Sequence, residues 1–63
     1  MLGNIRLYEI TGLCALYEHH EITVSVHTAS YTDAISKGLA LLAETLQCDE
    51  DDVRIISVRT VLI

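Results

Sequence analysis

The segment from Ser30 to Gln47 limits what this chain can become, because no other stretch is long enough and periodic enough for an amphipathic helix. Ile35, Leu39, Leu42 and Leu46 recur at i, i+4, i+7 and i+11, which at about 100° per residue gathers them on one narrow arc. That arc is the expected core stripe. Ser30, followed three positions later by Asp33, reads as an N-cap with a carboxylate in the first turn, where the positive end of the helix dipole favours it. Gly38 sits in the helix interior at a cost of roughly 1 kcal/mol relative to alanine. Close approach to a sheet would explain it. Leu41 falls away from the stripe, beside Ala34 and Thr45, and is expected to be exposed.

The remaining segments read as strands. Asn4 to Thr11 has β-prone character with imperfect alternation, Gly12 interrupts it, and Leu13 to Tyr17 continues it, which together suggest one strand with a bulge at Gly12. A turn at His19-His20 would set Tyr17, Ala15 and Leu13 opposite Ile22, Val24 and Val26. Ile22 to Thr28 alternates cleanly, with Ile22, Val24 and Val26 against Thr23, Ser25 and His27. After the helix comes a polar connector from Cys48 to Asp52, then Val53 to Ile63, rich in Val and Ile, as a third strand.

The expected fold class is therefore α+β, in the order β-β-α-β. A right-handed crossover through the helix lays strand three parallel to strand two, and the hairpin makes strand one the centre of a three-stranded mixed sheet of order 2-1-3. One helix packs on one face. The topology resembles half of a ferredoxin-like fold, a likeness of architecture that implies no activity. The uncovered face, expected to carry Cys14, Leu16 and parts of strand three such as Ile55 or Val61, calls for self-association. A homodimer follows as an expectation, with Cys14 and Leu16 at a sheet interface and Leu41 marking the alternative helix-face interface.

At 63 residues the chain is read as one domain, 1–63, and a domain this small buries only about 60% of the surface its unfolded chain exposes. The residues are 51% hydrophobic without any Trp, Phe or Pro, so the apolar content is mainly aliphatic. The nine acidic side chains outnumber the four basic ones, giving a net charge of −5. Because Arg6, Lys37, Arg54 and Arg59 are scattered, a phosphate-tracking surface and direct nucleic-acid binding are not expected. No basic region precedes an apolar run at the N-terminus, and nothing approaches the ~20 apolar residues of a membrane span. The expectation is a cytoplasmic protein that does not engage membranes. Cys14 and Cys48 would then be thiols, and two cysteines without C-x-x-C spacing are a poor zinc signal.

Three groups of residues bear on chemistry. Glu18-His19-His20-Glu21 has metal-binding composition, but adjacent residues rarely converge on one ion, so it reads as a hydrated polar turn. His27 reads as a solvated or interfacial side chain. No G-x-S-x-G, H-E-x-x-H or glycine-rich phosphate loop occurs, and no enzyme activity, cofactor or metal is expected. Asp49-Glu50-Asp51-Asp52 follows the helix C-terminus, where the dipole disfavours carboxylates by a few tenths of a kcal/mol each. These four are the candidate partner-binding residues, facing a basic surface on another protein and acting by occlusion. Small acidic chains of this kind resemble accessory proteins that phages and mobile elements use against host machinery, including anti-CRISPR proteins, some of which imitate nucleic-acid charge. The alternative is an assembly module that forms a homo-oligomer through its sheet, its acidity serving solubility.

Overall fold

The computed structural model describes residues 5–61, and the side chains of Glu18 and His19 lie outside the description. So do Asn4, the expected start of strand one, and Leu62 and Ile63, the expected end of strand three. The described chain runs β1 (Arg6–Cys14), β2 (Tyr17–Thr28), α1 (Tyr31–Leu46), a 3-10 turn (Glu50–Asp52) and β3 (Val53–Val61). The strands lie in the order β2-β1-β3, with α1 on one face. This is the expected α+β architecture. Both neighbouring pairs are antiparallel, so the sheet is antiparallel rather than mixed. β2 and β3 still run in the same direction on either side of β1.

The helix begins where the sequence places it. Ser30 is extended at φ −115° and ψ 129°, and its hydroxyl accepts the Asp33 backbone N–H at 3.3 Å. The buried helical residues are Ala34, Gly38, Leu42 and Ala43, while Ile35, Leu39 and Leu46 are only half-buried. Of the expected stripe, Leu42 alone is fully enclosed, at 0% exposure. Ala34, expected among the exposed residues beside Leu41, is also at 0%, whereas Leu41 itself is 39% exposed. Side-chain size accounts for the shift, because a helix comes nearest to a sheet where its own side chains are smallest. Gly38 lies directly over Ile10: a Cβ built there would overlap Ile10 Cδ1 and lie 3.3 Å from Ile10 Cβ and Cγ1.

The hairpin turns earlier than expected. Ala15 and Leu16 form the turn, Cys14 pairs with Tyr17, and Tyr8, Ile10 and Gly12 stand opposite Val26, Val24 and Ile22. The expected turn at His19-His20 would have set Leu13, Ala15 and Tyr17 against that apolar row instead. The observed register puts Tyr8 and Ile10 beneath the helix, where they form the core with Val26, Ala34 and Leu42. Glu18 to Glu21 consequently belong to β2, in the irregular stretch between the pairs Gly12–Ile22 and Cys14–Tyr17.

The bulge expected at Gly12 is present on both sides of β1. Register breaks between Gly12 and Cys14 toward β2, and between Thr11 and Gly12 toward β3, where Ile56 is the extra residue. No glycine among the described residues has positive φ, so Gly12 is not there for backbone freedom. Its role is clearance. A Cβ at Gly12 would stand 2.9 Å from both the Arg54 carbonyl oxygen and Leu42 Cδ1.

The face away from the helix differs from the sequence expectation. Thr11 pairs with Thr23 and Ser57, and Glu9 pairs with Ser25 and Arg59, so the middle of that face is polar. Ile55 packs against the core on the helix side instead. Cys14 is 1% exposed, while Leu16 is in the hairpin turn. The apolar sheet interface assigned to Cys14 and Leu16 is thus not formed as a surface by those residues. A one-residue change of pleat, produced by the bulge, is enough to move a side chain from one face to the other.

Candidate functional site

The helix C-terminus starts the acidic end of the molecule. Gln47 adopts a left-handed conformation, φ 58° and ψ 49°, and its N–H donates to the carbonyls of Ala43 and Glu44. Cys48 N–H also donates to Ala43, at 3.0 Å. These bonds satisfy carbonyls that a helix end leaves open and turn the chain back toward the end of β1. Asp49 then runs extended, and Asp52 N–H closes the 3-10 turn onto the Asp49 carbonyl at 2.9 Å.

One further bond joins this turn to the hairpin. Ala15 N–H donates to the Asp52 carbonyl at 2.7 Å, and the next residue, Val53, pairs with Cys14. The acidic turn and the Ala15-Leu16 turn are therefore adjacent. Asp49, Glu50 and Asp51 are exposed and Asp52 is half-buried. Leu16 is 65% exposed and Tyr17 60%. The acidic turn and the hairpin turn that carries Leu16 are thus neighbours at this end, and the last turn of α1 contains no basic residue.

The carboxylates of Asp49 to Asp52 follow directly on the helix end. The N-cap of the 3-10 turn is Asp49, whose side chain makes no capping bond. Their position beyond a helix C-terminus is electrostatically unfavourable for the fold.

Leu41 is on the exposed side of α1 rather than on the sheet. Of the residues assigned to interfaces, Leu16 alone joins the acidic run at this end. Cys14 is buried at the end of β1, paired with Val53. The Cys48 thiol is pushed up to about 11, first by desolvation, then by Cys14 and by the carboxylates of Asp52 and Asp49.

The open sheet face carries the other polar cluster. Arg59 Nη2 donates to Glu9 Oε1 at 2.6 Å, and the hydroxyls of Thr11 and Thr23 share a hydrogen bond at 2.8 Å. With Ser57 these residues line a shallow open depression of about 260 Å³. Small-molecule sites more often occupy ~300–1,000 Å³ and enclose their ligand. The opposed charges of Glu9 and Arg59 also satisfy one another, which leaves little net field for a charged ligand. Correct strand register would have exposed this cluster to sequence reasoning, since all of its members are cross-strand partners.

Among the described residues no three His, Cys, Asp or Glu side chains are grouped to hold a metal ion. No helix of the described chain is long and apolar enough to cross a membrane. Comparison with protein-family models, with curated proteins and with solved structures gave no match.

Proposed function

We propose that this chain is a non-catalytic protein-binding module, a regulator or inhibitor that docks its acidic end on a basic surface of another protein and occludes it. What supports this reading is the 2.7 Å bond from Ala15 N–H to the Asp52 carbonyl, which joins the hairpin turn, with its exposed Leu16 and then Tyr17, to the acidic turn. Protein interfaces commonly combine an apolar or aromatic anchor that is desolvated on contact with a charged rim that steers the encounter. Leu16 and Tyr17 supply the anchor. Asp49, Glu50 and Asp51 supply the rim, and their unfavourable location at the helix dipole supports a role outside folding.

The test is the variant Asp49→Asn, Glu50→Gln, Asp51→Asn. Its melting temperature should equal or slightly exceed that of the wild type, because carboxylates leave the negative end of α1. Affinity for a basic protein recovered stoichiometrically with the wild type should fall by about tenfold or more, mainly through slower association. The variant's remaining binding should also be less sensitive to salt. Equal affinity of variant and wild type for that protein would remove the acidic end from the mechanism. A much lower melting temperature would show the carboxylates to be structural.

Self-association is the second reading, and what favours it is that β2 and β3 both leave an outer edge without a strand partner among the described residues. The bulge at Ile56 blunts the β3 edge, and dimerisation through the open face would have to desolvate the Glu9–Arg59 pair. Light scattering at tens of micromolar separates the two readings. A species of twice the 7.0 kDa chain mass supports the assembly module, and the chain mass alone supports the heterologous binder.

A further inference from the structure

We propose that the outer edge of β2 takes up an extended segment of the basic partner as an added strand, with the cationic end of that segment toward Tyr17. This rests on the acidic-end reading and adds to it the form of the partner segment. β2 is 12 residues long, the longest of the described strands, and among those strands it pairs with β1 alone. From Thr28 to Ile22 its ladder with β1 is unbroken, so its other edge presents a regular row of backbone N–H and C=O groups. Lysine and proline, the residues that keep foreign strands off a sheet edge, do not occur in β2, and neither does glycine.

Burial and charge select the strand that fits. Ile22 and Val24 pack against the core yet are only half-buried, whereas Val26 in the same row is buried. A strand added beside them would cover them with apolar side chains at every second position. Thr23, Ser25 and His27 alternate with them and are exposed, so polar residues suit the positions between. β2 has no Lys or Arg and carries an exposed Glu21, while β3, the other edge strand, carries Arg54 and Arg59 and the bulge at Ile56. A cationic strand is therefore favoured at β2 over β3. A second copy of this chain is the poorer occupant, because each copy has a net charge of −5 and the two repel. Tyr17 opens β2 straight after the hairpin turn that Ala15 bonds to Asp52, so the edge starts at the turn tied to the acidic end.

The probe is a fluorescein-labelled peptide of alternating valine and threonine with arginines at one end, titrated against the full chain by fluorescence anisotropy. Binding should weaken by about tenfold or more when alternate amides of the peptide are N-methylated, because strand addition draws its affinity from main-chain hydrogen bonds. Replacing the arginines of the peptide by glutamates should weaken it by a similar factor of about ten. Glu21→Lys, at an exposed position, should melt like the wild type and bind the basic probe more weakly. Bound probe should slow hydrogen exchange at alternate amides between Ile22 and Thr28. Absence of binding, equal binding of the N-methylated peptide, or protection confined to residues 47–52 would each overturn the proposal, and the last would leave the acidic-end reading standing. If Asp49→Asn, Glu50→Gln, Asp51→Asn binds the probe as tightly as the wild type and residues 22–28 are still protected, strand addition stands and the acidic-end reading falls. Protection of residues 22–28 without probe, in a species of twice the chain mass, would put a second copy on the edge and overturn the proposal.

Discussion

Leu42→Ala should leave the protein close to its folding threshold, with a loss of about 2–5 kcal/mol measured by urea or thermal unfolding. Leu42 is at 0% exposure, in a core with Tyr8, Ile10, Val26 and Ala34, and its Cδ1 also lies against Gly12. Truncation opens a cavity whose walls are a strand and a helix backbone, neither of which can collapse to fill it. At ~0.05–0.15 kcal/mol per residue, a chain of 63 residues has only a few kcal/mol of total stability to lose. A loss below about 1 kcal/mol would mean that this site relaxes freely and that the helix is not seated on the sheet through Leu42. Leu39→Ala provides the contrast, because Leu39 is only half-buried and its removal should cost less.

Gly38→Val should destabilise by about 3 kcal/mol, toward the upper end of overpacking effects. Gly38→Ala divides two opposed terms. Alanine favours a helix interior over glycine by roughly 1 kcal/mol, but its Cβ would occupy the space of Ile10 Cδ1. Ile10 is at 0% exposure and has nowhere to move without disturbing its neighbours. Combining Gly38→Ala with Ile10→Val removes the offending methyl group, so the double variant should be more stable than the sum of the single changes predicts. Strict additivity would show that helix and sheet are farther apart than the close approach at Ile10 implies.

Where the chain's local signals were unambiguous, they agree with the structure. The Ser30–Asp33 cap requires only a side chain and a backbone amide three residues on, and it starts the helix at Tyr31. Alternation from Ile22 to Val26 places a strand that pairs across β1 as an apolar row against Tyr8 and Ile10. Of the acidic run, Asp49, Glu50 and Asp51 are exposed, as charged side chains without a buried partner are. Order 2-1-3 also follows from connectivity, since a hairpin followed by a crossover leaves the first strand in the middle.

Other features depended on partners distant in sequence. Leu13, Ala15 and Tyr17 offered the hairpin an apolar row as plausible as Ile10 and Tyr8, and burial beneath α1 chose between them. That choice moved the turn to Ala15-Leu16 and carried Glu18 to Glu21 into β2. The candidate site was legible only in half: its carboxylates are contiguous in sequence, but Leu16 and Tyr17 join them through the bond between Ala15 and Asp52.

The sequence by itself determined the number, kind and order of the elements, the helix start and the acidic segment, because propensity, capping and charge act over a few residues. The tertiary structure alone decided which helix residues touch the sheet, which face of it stays open, and where the hairpin turns. Those outcomes turn on close approach: the helix settles where Ala34 and Gly38 permit it, and the bulges around Gly12 then assign each neighbouring side chain to a face. Steric fit between segments far apart in the chain has no local periodicity to announce it.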